Sequence, residues 1–190
     1  PSNYLLKKFV ATLETPVRIS IYSRRPETVN GSVGTRPVTF DLKYTDDEFW
    51  NILDFKFLNG KPYSKKEVDE AQKLCVISES LAIEQFGDSR SAAGRFIEVN
   101  KMNFQIIGVV KDVPKISISA YGNVWVPFTT STGDLKERNL SGDLAAMMLV
   151  QKKSDLIKLE NELQQSVSGI DYPVGDIHRM ETNITRQGDL

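Results

Sequence analysis

His178 is the one histidine of the chain and Cys75 its one cysteine, so few residues are suited to nucleophilic or metal chemistry. A catalytic histidine needs a nucleophile on one ring nitrogen and an orienting carboxylate on the other, and no serine here sits in a nucleophile signature. His178 therefore reads as a surface or interface residue. One histidine and one cysteine cannot build a His/Cys zinc site within a single chain. Asp46-Asp47-Glu48 could hold a divalent cation, but they directly precede Phe49, Trp50, Ile52 and Leu53. Acids at that place suit the partial positive charge of a helix N-terminus, which explains them without a ligand. Glu67, Asp69 and Glu70 read in the same way, as the polar face of a short helix.

Phosphate chemistry finds no cradle. Gly31 and Gly34 lack the remaining glycine of a dinucleotide loop, and Gly60-Lys61 is followed by Pro62 instead of Ser or Thr. Cys75 lies within the apolar run Leu74-Cys75-Val76-Ile77, where a buried, inert thiol is expected. Trp50 and Trp125 could stack a ligand, yet both sit in apolar runs that serve packing. The sequons at Asn30, Asn139 and Asn183 are what chance supplies in this composition. No catalytic, cofactor-binding or metal-binding residue is assigned. A hydrolase with an unfamiliar site would require Glu48, Asp69 or His178 to line one pocket with perturbed titration.

The elements that position these residues follow from periodicity. Leu5, Leu6, Phe9, Val10 and Leu13 share one helical face over Asn3 to Leu13, and Pro16 ends that helix. Val17 to Ile21 and Val38 to Leu42 alternate as strands, with a loop or hairpin turn from Arg24 to Gly34 between them. A short capped helix follows Thr45. Phe55 to Leu58 is extended and stops at Asn59-Gly60, and Ser64 to Glu70 is a polar helix. Leu74 to Ser78 is a strand, and Glu79 to Phe86 a helix with Gly87 at its C′ position. Arg95 to Asn100 and Phe104 to Asp112 form a hairpin about Lys101-Met102-Asn103. Asn123 to Thr129 and Leu144 to Gln151 are strands joined by a polar loop, and Ser154 caps a helix ending at Gly169. One more strand is expected near Ile177 to Met180.

The 190 residues suffice for one large domain or two small lobes, and 40% hydrophobic against 26% charged residues supports a core. Lys plus Arg number 24 against 25 Asp plus Glu, which argues against a nucleic-acid binder. The basic pairs Lys7-Lys8, Arg24-Arg25 and Lys65-Lys66 read as solvated surface. A lone cysteine excludes an intrachain disulfide and decides nothing about compartment. No stretch approaches the ~20 apolar residues of a membrane helix. The chain starts at Pro1 without a methionine, as either an excised fragment or ordinary methionine removal would leave it. Helix and strand at the start, with strand and helix at the end, suit an outer lobe built from both chain ends around an inserted β-rich one.

The middle of the chain resembles the extracytoplasmic core domain of ABC-transporter permeases of the MacB/FtsX type. Phe57-Leu58-Asn59-Gly60-Lys61-Pro62-Tyr63-Ser64 is similar to that family's L-x-G-R-x-F-T, with Lys61 for the usual arginine. Leu74-Cys75-Val76-Ile77-Ser78-Glu79-Ser80-Leu81-Ala82 is similar to V-V-V-I-S-x-x-L-A, and Phe86-Gly87 to its F-G. Ala93-Gly94-Arg95-Phe96-Ile97 stands for P-x-G-K-x-I, with alanine for proline. Phe104-Gln105-Ile106-Ile107-Gly108-Val109-Val110-Lys111-Asp112-Val113-Pro114 resembles F-x-V-I-G-V-x-x-D-x-P. The likeness is good over about Asp54 to Thr129 and loose elsewhere. Gly108 interrupts its β-run, where a bulge or close backbone approach is expected.

The resemblance implies an α+β fold of two lobes: a porter-like, membrane-proximal lobe of residues 1–60 plus 140–190, and an inserted β-rich lobe of residues 61–139. It implies a non-enzymatic domain without cofactor on the periplasmic side of the bacterial inner membrane. Such a domain couples cytoplasmic ATP hydrolysis to substrate or partner handling outside. The implied partners are a cytoplasmic ABC ATPase, a second permease in a homodimer or heterodimer, and a periplasmic adaptor or cell-wall protein, with no nucleic acid. Tyr4 to Leu13 would continue the first membrane helix as a stalk, and Thr182 to Leu190 would return toward the second. The rival expectation is a free-standing exported binding or chaperone-like module.

Overall fold

The computed structural model of the chain describes residues 2–131 and 142–168. A helical turn, α1 (Asn3–Leu5), passes directly into a π-helical stretch, Leu6–Val10, whose wider turn is closed by the Ala11 N–H donating to the Leu6 carbonyl. The chain leaves helical form there, well before Pro16. Strands β1 (Arg18–Ser23), β2 (Glu27–Val33) and β3 (Arg36–Thr45) follow, then α2 (Glu48–Leu53), β4 (Phe57–Gly60) and α3 (Lys65–Asp69). Next come β5 (Leu74–Ser78), α4 (Glu79–Phe86), β6 (Phe96–Val99), β7 (Met102–Val110) and β8 (Val124–Pro127), which runs into a 3-10 turn at Phe128–Thr130. β9 (Leu144–Leu149) and α5 (Asp155–Ser168) complete the described chain. The mixture of helix and strand is as expected. The strand expected near Ile177 lies outside the described residues.

The strand pairings contain a closed ring. β2 pairs β6, β6 pairs β7, β7 pairs β5, β5 pairs β8, β8 pairs β3, and β3 pairs β2 again. Closure removes the exposed edges that an open sheet would leave. One face of each of these strands points inward: Val29 and Val33, Phe40 and Leu42, Cys75 and Ile77, Ile97 and Val99, Phe104 and Ile106, Val124 and Val126 form one buried core. Leu81 and Ala82 of α4 join that core. Outside the ring, β4 pairs β7, while β1 pairs both β3 and β9.

The seam between β2 and β6 is, with β5–β8, one of the two narrowest of these ladders, with Gly31 opposite Val99 and Ser32 opposite Glu98. A Cβ on Gly31 would lie 1.9 Å from the Glu98 carbonyl oxygen and 2.7 Å from the Phe40 ring. Only glycine lets the seam close. Residues 24–34, read from their Pro, Asn and Gly as a loop or hairpin turn, are thus mostly a strand, and the hairpin turn is confined to Gly34 and Thr35. Long-range pairing on both sides overrides the local turn chemistry.

Other boundaries shift for local reasons. The β6–β7 hairpin turns at Asn100 and Lys101, both at positive φ (50° and 64°), one residue earlier than expected. Asn59 and Gly60 belong to β4, with Asn59 paired to Val109 and Gly60 to Gly108. Gly108 is both bulge and close approach. Cys75 pairs Ile106 and Val76 pairs Gly108, leaving Ile107 extra, and a Cβ on Gly108 would meet the Lys61 carbonyl at 2.7 Å. α3 carries the capping box written in Ser64 and Glu67.

A second core lies on the outer face of the ring, around Trp50, Tyr63, Val76, Val110 and Trp125. A third joins the two ends of the described chain: Leu5, Leu6, Val10, Leu13 and Ile21 pack with Leu159 and Leu163 of α5. Backbone N–H groups of Glu14 and Thr15 donate to the Glu162 carboxylate (2.5 and 3.0 Å), and the Ser166 hydroxyl donates to the Phe9 carbonyl (2.7 Å). Sequence position 60 does not separate these units. The β2–β3 hairpin precedes it and pairs β6 and β8, which follow it.

Candidate functional site

The acidic residues singled out from sequence are distributed among structural tasks. Asp46 ends the β3 segment and turns into α2. Its carboxylate accepts from the Ser20 hydroxyl (2.7 Å), the Ile21 N–H (2.6 Å) and the Phe49 N–H (3.0 Å), so one side chain binds β1 to the start of α2. It therefore does the capping expected of this acidic run. Burial pushes its carboxyl up to about 6, against the lowering effect of those three hydrogen bonds. Burial also raises Asp47, and neighbouring Glu48 adds to the rise. Glu48 pairs with Arg18 at 2.7 Å, while Asp69 pairs with Lys65 one helical turn away at 3.0 Å. Glu67 accepts from Ser64 in the capping box. Among the described residues no group of three or more acids, cysteines or histidines could hold a metal ion. His178, Asn139 and Asn183 lie outside the described residues, and Asn30 is an exposed residue of β2.

The tryptophans and the cysteine pack. Trp50 meets Trp125 edge-on with centroids 6.0 Å apart, and Phe55, Phe57 and Tyr63 surround Trp50 at 5.0–5.6 Å. The Trp125 indole N–H donates to the Ala120 carbonyl (3.2 Å). Cys75 is fully buried in the ring core, and burial pushes its thiol far up from its ordinary range.

Lys43 is a feature that sequence reasoning missed. It is fully buried on the outward face of β3, its ammonium donating to the Ile118 carbonyl (3.1 Å) and lying 5.3 Å from the Tyr22 ring centre. Burial lowers it to about 8, against the attraction of Asp143. The segment after Pro114 buries it. That segment is held by the Tyr121 hydroxyl donating to Asp41 (2.6 Å) and by the Asp41 N–H donating to Asn123 (2.7 Å). Alternation along β3 correctly puts Lys43 on the outer face, but nothing local says that a loop will cover that face.

Two surface clefts stand out among the described residues. The smaller, about 290 Å³, lies between the start of α4 and the loop after β7. Its polar groups largely satisfy one another, with Asp112 accepting from the backbone and hydroxyl of Ser80. The larger, about 600 Å³, lies at the tip of the β2–β3 hairpin, between the end of α4 and the start of β6. Arg36, Arg95, Phe86 and Phe96 line it together with Gly34 and Ser91. The Arg36 guanidinium donates to the Gln85 carbonyl at the α4 C-terminus (2.8 Å). Sequence reasoning did not find this cleft, because Arg36 and Arg95 approach each other only through the closure of the ring.

The chain matches the family model of the MacB-like periplasmic core domain over residues 5–166. It is 31% identical over 94 residues to the macrolide export ATP-binding/permease protein MacB of Burkholderia cenocepacia, covering 47% of this chain and 13% of that protein. Against the MacB protein of Shewanella oneidensis it is 31% identical over 110 residues, 53% of this chain and 16% of the relative. The chain thus spans a small part of its curated relatives. Its fold is like the periplasmic region of MacB from Actinobacillus actinomycetemcomitans (TM-score 0.64, 17% identity, 84% of this chain and 69% of that one). It is also like the extracellular domain of the noncanonic ABC-type transporter YknZ from Gram-positive bacteria (TM-score 0.62, 13% identity, 81% and 75%). No helix among the described residues is long and apolar enough to cross a membrane. By the extent of the family match, this chain belongs to the MacB-like periplasmic core domain family, whose place is the periplasmic side of the bacterial inner membrane.

Proposed function

We propose that the chain is a non-catalytic domain of an ABC transporter permease, passing motion driven by cytoplasmic ATP hydrolysis to substrate or partner proteins outside the membrane. The family match over residues 5–166 carries this reading. The third core supports a division into two working parts, since it clasps the segment before β1 to α5, the two ends of the described chain. In this reading those ends form the membrane-proximal part, and the six-stranded ring, including the β2–β3 hairpin, is the inserted part. The ATPase, a second permease copy and an adaptor or cell-wall protein are the partners proposed with it.

The test is the coding sequence on either side of residues 1–190. An apolar helix of about 20 residues is expected on each side, with an ATPase encoded in the same or an adjacent gene. Finding neither apolar helix would overturn the reading.

A further inference from the structure

The cleft at the hairpin tip is the feature that packing within the domain leaves unexplained. Phe96 is 57% exposed beside it, and Ile83, one helical turn before Phe86, is 51% exposed. On β6, Phe96 faces outward at the start of the strand, while Ile97 and Val99 fill the ring. Among the described residues no ion pair or hydrogen bond engages the Arg95 guanidinium. Asp88, the acid nearest Ser91 in sequence, is already occupied by the Arg90 and Ser91 N–H groups (both 2.7 Å) and the Ser91 hydroxyl (3.0 Å). The cleft therefore offers cations and apolar rings together, without an internal counter-charge.

We propose that this cleft is a docking site for a partner protein, taking an acidic peptide segment anchored by an apolar side chain. The cations set the charge: a carboxylate beside Arg95 gains a charge-assisted pair, with Arg36 adding a second planar donor fork already oriented by Gln85. The rings set the size. A small molecule held inside the cleft would leave the outer face of Phe96 wet, whereas a peptide lying across the rim covers it. With the chain ends taken as the membrane-proximal part, the position keeps the cleft away from the bilayer. The cleft is at the start of β3, and β1 joins β3 at its other end, where Tyr22 pairs Thr45. Ten strand residues separate the two places, a distance of roughly 30 Å.

This inference rests on the reading that the domain handles partners outside the membrane. The experiment is selection of short random peptides displayed on phage against the immobilised 190-residue chain. The most enriched peptide is then synthesised and its binding measured by fluorescence anisotropy. Peptides bearing Asp or Glu around one aromatic or aliphatic residue are expected. Binding should weaken at least about ten-fold in Arg95→Glu and in Phe96→Ser, and should weaken with added salt. Arg25→Glu, at the far end of the hairpin, should change it less than about two-fold.

No enrichment, enrichment of basic peptides, or binding indifferent to Arg95→Glu and Phe96→Ser would overturn the proposal. So would a wild-type dimer in sedimentation that Arg95→Glu dissociates, since the occupant would then be a second copy. Circular dichroism of each variant separates lost contact from lost fold. The selection involves no membrane segment, so it fails or succeeds separately from the flanking-sequence test.

Discussion

The six-stranded ring and the unit built from the chain ends are held together by different physics. In the ring every strand is paired on both sides, and its inward residues, among them Phe40, Cys75, Ile77, Ile106, Val109, Val124 and Val126, are wholly buried. In the end-built unit β9 pairs only β1 among the described residues, and its residues are half-exposed apart from the exposed Leu149. Packing of Leu5, Leu6, Val10 and Leu13 on Leu159 and Leu163, with the Glu162 and Ser166 contacts, does the remaining work. A closed ladder cannot yield by one strand without breaking two sets of hydrogen bonds, whereas side-chain packing can slide or open locally. The ring is thus suited to keep its shape while the ends adjust.

The largest effect should come from breaking the ring at the β2–β6 seam. Gly31→Val places side-chain atoms where the Glu98 carbonyl lies, and is expected to cost roughly 4 kcal/mol through overpacking and lost seam hydrogen bonds. Urea unfolding measures it, and a loss under about 1 kcal/mol would show that the ring tolerates opening. Leu159→Ala, in the end-built unit, should cost about 3 kcal/mol. Hydrogen exchange should show β1 and α5 amides losing protection while β5 and β7 keep theirs. Equal loss in both regions would dissolve the contrast.

The smallest effect concerns the junction between the regions. The Asp46 carboxyl is raised to about 6 in the folded state, while an unfolded aspartate titrates near 3.9. Between those values the folded chain holds a proton that the unfolded chain has released. Stability should therefore fall as pH rises from about 4 to about 6, by about 2 kcal/mol. Asp46→Asn should remove most of this slope. An unchanged slope, or an Ile21 amide shift that ignores pH near 6, would mean that another group titrates.

What the sequence disclosed was local. Ser64 to Glu70 read as a polar helix, Gly87 as the end of α4, and Gly108 as an irregularity in β7, because each depends on its immediate neighbours. Asp46 was legible as a cap but not as a tie to β1, since Ser20 and Ile21 lie far back in the chain. β2 was hidden because Pro26, Asn30 and Gly31 are turn formers, and its strand form comes from partners supplied by β3 and β6. The cleft was hidden for the same reason. Arg36 and Arg95 each look like ordinary surface charge until ring closure places them together.

The burial of Cys75 has a practical consequence. It is the chain's sole thiol, it lies inside the ring, and its pushed-up titration leaves almost no thiolate at neutral pH. This chain is therefore expected to react little with maleimides and methanethiosulfonates while folded. Any cysteine introduced on the surface becomes the single labelled position without first removing a native one. Pairs of such labels, one on α5 and one on the hairpin tip, turn the contrast between the two regions into a distance that spin-label or fluorescence measurements read directly.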